Sequence, residues 1–205
     1  MGKFFIPILL ILALTCSCVK KNVLVADDSL PDQVKSISVL PVTSLTDTDN
    51  VSVRSIKELK AGVDVLSQSL EEYFVDNVKV QIVSPEEVES LSTTYNSTPY
   101  LESLRIGKNL NAEAVMVWVL KQSRERQGTD YAATSPASVA FEYRLIHTES
   151  GKTLCVGSFS ETQQSATENL LSLKKLSGRG FKWITASDLI REGVTKKLSG
   201  CSYLK

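Results

Sequence analysis

The sequence predicts an α/β fold: a mixed sheet of four to five strands with helices packed against it. Short β-branched segments alternate with amphipathic helical segments in the first part of the chain, and two alternating strands joined by a turn follow. The last part carries two helix-start patterns of the capping-box type. Together these observations predict the order β-α-β-α-β-β-β-α-α.

The first strand and the first helix are predicted from a change in hydrophobic period. Residues 37–42 form a β-branched run, and Pro41 suits its end because proline cannot donate a backbone hydrogen bond. Residues 43–55 are rich in Thr, Ser, Asp and Asn, which is typical of a loop. Apolar residues then recur at three- and four-residue steps over 56–74, so we predict a long helix that buries this stripe in a core.

The middle of the chain predicts one more strand, two helices and then a central strand. Residues 78–83 alternate as a strand, and Pro85 then suits the first position of a short helix. A second helix is predicted at 101–110, after a loop at 93–99. Residues 114–120 are apolar on both faces, so we expect a central strand that is covered on both sides.

The second half of the chain predicts a hairpin and two further helices. Residues 121–133 are charged and contain Gly128, which indicates a loop or a hairpin tip. Alternating strands at 138–145 and 152–160 flank a turn and form the clearest hairpin in the chain. Two final helices are predicted from capping-box spacing at 165–168 and 185–188, with a break at 177–180 between them.

The composition excludes several classes of function. The chain has 205 residues, 42% of them hydrophobic and 22% charged, which is close to the usual mix of a soluble domain. Basic and acidic residues both number 23, so the chain lacks the basic surplus that nucleic-acid binding needs. A single histidine limits metal binding and acid–base catalysis.

The N-terminus has the pattern of a signal peptide. Lys3 precedes an apolar run at 4–14, which has the length of a signal-peptide core and is too short to span a bilayer. The run ends in Leu-Thr-Cys-Ser-Cys, which resembles the lipobox of bacterial lipoproteins. Cys18 is the preferred lipidation site because the small Ser17 precedes it. Cys16, preceded by Thr15, is the alternative.

These features predict three regions. Residues 1–18 form a lipoprotein signal peptide that ends at the lipobox, the polar residues 19–35 form a flexible tether, and residues 36–205 form a single α/β domain. Acyl chains hold a domain at a membrane because each buried methylene contributes about 0.8 kcal/mol. Val19, rather than aspartate, follows the preferred cysteine, which by resemblance implies the outer membrane and a domain that faces the periplasm.

Two further cysteines, Cys155 and Cys201, remain after the signal peptide. An exported protein lies outside the reducing cytosol, where a disulfide persists, so one interpretation is a bridge between them. The other interpretation is one buried thiol and one surface thiol.

The sequence predicts no catalytic residues, metal site or cofactor. It contains none of the common nucleophile, zinc or phosphate-loop motifs, and His147 falls in a predicted turn. Candidate contacts to a partner are Arg124 and Arg126, which otherwise belong to a solvated loop. Gln163 and Trp183 are further candidates, because the segments that contain them, 159–164 and 181–186, combine polar and aromatic residues in connecting regions. For Trp183 the alternative is packing against the sheet.

Several segments carry a family resemblance over 36–198. The topology resembles the α/β domain of envelope lipoproteins related to the curli-secretion lipoprotein, the outer-membrane activators of peptidoglycan synthases and the N-terminal domain of the Tol–Pal propeller protein. Four shorter segments are similar to delta-proteobacterial envelope lipoproteins, which carry tryptophan where this chain has Cys155. The broad resemblance rests on segments 37–42, 112–116 and 148–154, and the narrower one on 136–141, 161–163, 168–171 and 182–186.

The resemblance implies binding or assembly rather than catalysis. We therefore expect a non-enzymatic, lipid-anchored outer-membrane protein whose domain docks onto a secretion, assembly or cell-wall complex of the envelope. One alternative is a ring-forming secretion subunit, whose membrane hairpin would have to come from the short, polar residues 121–136. The other is a cryptic envelope hydrolase, which would need a nucleophile that works without a nearby histidine base. The sequence leaves the oligomeric state open.

Overall fold

The computed structural model describes residues 30–44, 53–92, 98–129, 133–163 and 183–205. Cys16, Cys18 and most of the predicted tether lie outside the described residues, as does the helix predicted from 165–168. None of the described helices is long and apolar enough to cross a membrane.

The predicted fold class is confirmed: a mixed sheet carries helices on both faces. The first half contains β1 (Ile37–Val39), β2 (Thr43–Ser44), α1 (Val53–Phe74), β3 (Val80–Ile82), α2 (Pro85–Leu91) and α3 (Pro99–Asn109). The second half contains β4 (Ala114–Arg124), β5 (Gln127–Gly128), β6 (Ala133–Ser135), β7 (Ser138–His147), β8 (Thr153–Thr162) and α4 (Ala186–Leu198), followed by a 3₁₀ turn at Ser202–Leu204.

The main sheet has five rows, in the order β3-β1-β4-β7-β8. β1 runs parallel to both β3 and β4, whereas β4, β7 and β8 are antiparallel neighbours. β2 also pairs with β4, farther along the same side as β1, so the two short strands share one row. Pro41 lies between them, where it has no N–H to donate to the ladder.

Two sequence predictions about this sheet are wrong in detail. The loop predicted at 43–55 contains β2, and the loop predicted at 121–133 begins too early because β4 continues to Arg124. A register shift between Leu120 and Gln122 lets β4 keep pairing with the polar start of β7. That pairing relies on backbone hydrogen bonds, so no apolar alternation marks it in the sequence.

The first face of the sheet packs against α1 and α4 and holds the main core. Trp118 of β4 stacks on Tyr143 of β7 with ring centroids 4.8 Å apart, and Phe141 stacks on Phe159 of β8 at 5.2 Å. Gly193 lets α4 approach these rings, because a Cβ there would lie 2.9 Å from both phenylalanines. The largest fully buried aliphatic side chains of this core are Ile37, Leu66, Leu70, Leu120, Leu145, Leu189 and Ile190.

The second face carries α2 and α3 over a smaller core. Both helices begin with a hydroxyl cap followed by proline, Ser84–Pro85 and Thr98–Pro99. The apolar residues that they bury are Leu40, Val83, Ile106, Val115 and Ile146. This set is small because α2 and α3 cover only β1, β3 and the adjoining ends of β4 and β7, which carry Val115 and Ile146.

Tertiary packing starts slightly before the predicted domain boundary at residue 36. Val34 is only 1% exposed and belongs to the main core. The backbone N–H of Lys35 donates to the Glu113 carboxylate at 2.8 Å. The last two residues of the predicted tether are therefore held by the domain.

Candidate functional site

The second face leaves an open groove beside α2 and α3. Its floor is β4, where Val117 and Val119 are half-buried, and its volume is about 490 Å³. Pro41 and Val88 line one side, and the start of α3 with Tyr100 lines another. A mostly apolar cleft of this size with few polar groups is the usual form of a ligand site.

The placement of α3 explains why the groove is open. Tyr100, at the start of the helix, contacts Gly151 in the turn between β7 and β8. The end of α3 lies close to the sheet, because a Cβ at Gly107 would lie 3.1 Å from Thr148 and 3.3 Å from Val115. The helix therefore covers the beginning of β4 and leaves Val117 and Val119 uncovered.

This geometry corrects the prediction that 114–120 is covered on both sides. Val115 is fully buried beneath the second-face helices, but Val117 and Val119 are not. The apolar run itself gives no sign of the difference, because valine suits both a buried strand and the floor of a groove. The sequence analysis therefore missed this site.

The charged groups of the groove leave one cation without a partner. The Glu102 carboxylate pairs with Arg105 at 2.6 Å, and the Glu142 carboxylate pairs with Lys121 at 2.6 Å. Arg144 of β7 lines the groove and is exposed, and within the described part of the chain no carboxylate lies within salt-bridge distance of it. The groove therefore carries one uncompensated positive charge at its rim.

The predicted contact residues lie at the other end of the sheet, where β4 and β8 end near the start of α4. Arg124 is exposed and pairs in register with Ser138. Arg126 is half-buried and donates from its guanidinium to the Gly128 carbonyl at 3.2 Å. Trp183 is half-buried just before α4. The structure thus brings these residues to one region, although their contact with a partner stays a prediction.

Gln163 is a correction within this set, because its side chain is only 4% exposed. Its side-chain amide oxygen accepts the Ile184 N–H at 2.8 Å, and its backbone N–H donates to the Ala137 carbonyl at 3.0 Å. Glu125 acts in parallel, since its carboxylate accepts the Ala186 N–H at 3.2 Å. Gln163 therefore ties the end of β8 to the start of α4 and does not present its amide to a partner.

Cys155 and Cys201 form a disulfide with their Cα atoms 5.9 Å apart. Cys155 lies on β8 and Cys201 follows α4 in the main core. The bridge therefore joins the edge strand of the sheet to the end of the last helix on the first face.

The described residues hold one serine–histidine pair. His147 Nδ1 lies 2.8 Å from Ser150 Oγ, and the Ser150 N–H also points at the ring at 3.4 Å. Both residues belong to the hairpin turn between β7 and β8, away from the groove. This three-residue spacing closes the turn, which is a structural role for the ring. Among the described residues, no group of three His, Cys, Asp or Glu side chains could hold a metal ion.

Comparison with known proteins gives matches in fold only. No family model and no curated protein matches the chain. A PelC dodecamer from Paraburkholderia phytofirmans matches with a TM-score of 0.45 and 14% identity over 83% of this chain and 93% of that one. The lipoprotein GNA1162 from Neisseria meningitidis matches with a TM-score of 0.41 and 16% identity over 71% and 97%.

The C-terminal domain of LpoB from Salmonella enterica matches with a TM-score of 0.38 and 15% identity over 66% of this chain and 87% of that one. The narrower resemblance to delta-proteobacterial proteins stays a prediction. These solved structures are similar to the chain in fold alone.

Proposed function

We propose that this protein is a non-enzymatic lipoprotein of the outer membrane whose periplasmic α/β domain docks onto a secretion, assembly or cell-wall complex of the envelope. The lipobox-like residues that end at Cys18 support the proposed membrane localisation. The Cys155–Cys201 bridge supports an oxidising compartment outside the cytosol.

The proposed docking is supported by the open groove of the second face. On the first face, α1 and α4 cover the apolar residues of the sheet. Val117 and Val119 instead floor a concave and mostly apolar surface of about 490 Å³. Exposed apolar surface of this kind marks interaction sites on soluble domains.

Lipid attachment to the membrane is tested by replacing each candidate lipidation cysteine separately. We expect Cys18→Ser to abolish incorporation of labelled palmitate and to release the protein from sedimented membranes, because the acyl chains supply the membrane affinity. Cys16→Ser is the matched control and keeps both properties. Palmitate labelling of Cys18→Ser at the wild-type level would contradict the assignment.

Docking is tested by placing a photo-crosslinking amino acid at Val119 in the groove. The same group at Arg191, which is exposed on α4 at the opposite face, is the control. We expect cells to form a discrete high-mass adduct from position 119 and not from position 191. Identical adduct patterns from both positions, or none from either, would argue against docking through the groove.

A further inference from the structure

We propose that the groove of the second face binds a single acyl chain that ends in a carboxylate, with the chain over Val117 and Val119 and the carboxylate on Arg144. This inference goes beyond the proposed function, because it assigns a small amphiphile to the groove and needs neither a protein partner nor a lipid anchor.

The apolar lining of the groove suits a hydrocarbon chain. Val117 and Val119 form the floor, Ile106 and Val88 belong to the helices beside it, and Pro41 closes the side next to β2. Each methylene that leaves water for such a surface adds to the affinity, because apolar surface is removed from water. The volume of about 490 Å³ lies within the range that single small ligands occupy.

The charge pattern selects the head group. Glu102 and Glu142 are already neutralised by Arg105 and Lys121, so they offer no site for a cationic head. Arg144 has no such partner within the described residues, so a neutral chain would leave its charge uncompensated. A carboxylate matches the guanidinium in charge and in its two-pronged hydrogen-bonding geometry.

The surroundings of Arg144 favour contact with an amphiphile over contact with a purely ionic ligand. In the sheet register Arg144 lies between Val117 on β4 and Val156 on β8. Val156 is 67% exposed, so the apolar surface continues past the guanidinium toward the edge of the sheet. A head group that pairs with Arg144 therefore has apolar side chains on both sides, where an attached chain can lie.

The test is photolabelling of the full-length protein in phosphatidylcholine vesicles with a dodecanoic acid that carries a diazirine in its chain. We expect the label to map by mass spectrometry to the segments that line the groove, and unlabelled dodecanoate to compete for it. Dodecanol with the same diazirine is expected to label about two- to fivefold less, since an ion pair with an exposed guanidinium is worth at most about 1 kcal/mol.

Matched variants separate the head-group contact from the groove. Arg144→Gln should lower labelling by the acid about two- to fivefold without changing labelling by the alcohol, whereas Arg191→Gln on the opposite face should change neither. Val119→Glu should lower labelling by both probes, because a carboxylate on the floor opposes the chain.

Three results would overturn the proposal: label spread evenly over both faces, equal labelling by acid and alcohol, or an Arg144→Gln variant that labels like the wild type. Equal labelling by the two probes would show that Arg144 does not select the head group. The vesicles contain no envelope complex, so failure here is distinguishable from failure of docking in cells.

Discussion

The two faces of the sheet are built from the same strands, yet one is closed and the other is partly open. On the first face the 22-residue α1 and the 13-residue α4 cover β4, β7 and β8. On the second face the short helices α2 and α3 cover only the row of β1 and β3 and the start of β4. The comparison teaches that the placement of the helices, rather than strand composition, decides where this domain keeps a surface for other molecules.

The largest expected contrast between the faces comes from a matched pair of leucine truncations. Leu66 of α1 is 0% exposed in the main core, so Leu66→Ala should lower the free energy of unfolding by about 2–5 kcal/mol. Leu104 of α3 is only half-buried beside the smaller core, so Leu104→Ala should cost about 1 kcal/mol. Urea titrations of both variants measure the contrast, and equal losses would show that the two cores contribute alike.

Reduction of the disulfide should produce the next largest effect, again on the first face. The Cys155–Cys201 bridge closes a 46-residue separation, and loss of such a constraint costs about 2–4 kcal/mol. We expect dithiothreitol to lower the melting temperature of the wild type. A Cys155→Ser/Cys201→Ser double variant should melt at the same temperature with and without reductant, and a reductant effect on that variant would show that another process is responsible.

The helix caps offer a smaller contrast between the faces. Thr185 accepts the Asp188 N–H at 3.1 Å while the Asp188 carboxylate accepts the Thr185 N–H at 3.0 Å, a complete capping box at the start of α4. Thr98 makes a single cap contact of 3.4 Å to the Leu101 N–H at the start of α3.

Thr185→Ala should therefore cost about 1–2 kcal/mol of unfolding free energy, and Thr98→Ala only about 0.5 kcal/mol. Chemical denaturation of the two variants compares them directly. A larger loss from Thr98→Ala would mean that α3, on the groove side, depends on its N-cap more than α4 does on the closed face.

The smallest expected effect is a change in alkaline stability. Burial in the main core, and secondarily the charge of Tyr73, raises the pKa of the Tyr143 phenol above its ordinary value of 10.0. The phenol donates to the Lys197 carbonyl at 3.1 Å, which also needs its proton. Above about pH 10 the unfolded chain loses this proton first, so folding stability falls as the pH rises.

Tyr143→Phe has no phenol proton to lose, so its unfolding free energy should fall less between pH 8 and pH 10.5 than that of the wild type. Tyr100→Phe, on the groove side, is the control and should retain the wild-type decline because Tyr143 is intact. Parallel pH dependence of Tyr143→Phe and the wild type would contradict a role for this phenol.

Local patterns predicted most of the secondary structure. The apolar stripe of α1, the capping box of α4 and the alternation of β7 and β8 each depend on neighbours within a few residues, so they are visible in the sequence. The extension of β4 to Arg124 and the internal bonds of Gln163 were not predicted, because both depend on partners 14 to 26 positions away. No local periodicity records such pairings.

The sequence by itself determined the α/β fold class, the mixed sheet and most of the longer strands and helices, and it carries the lipobox-like terminus, since these follow from short-range spacing and composition. Only the tertiary structure decided that Val117 and Val119 floor a groove while Val115 is covered, that Arg144 pairs with no carboxylate of the described residues whereas Glu142 pairs with Lys121, and that Cys155 and Cys201 meet. The physical reason is that coverage and pairing depend on where a helix of a given length ends above the sheet, which involves residues far apart in the chain.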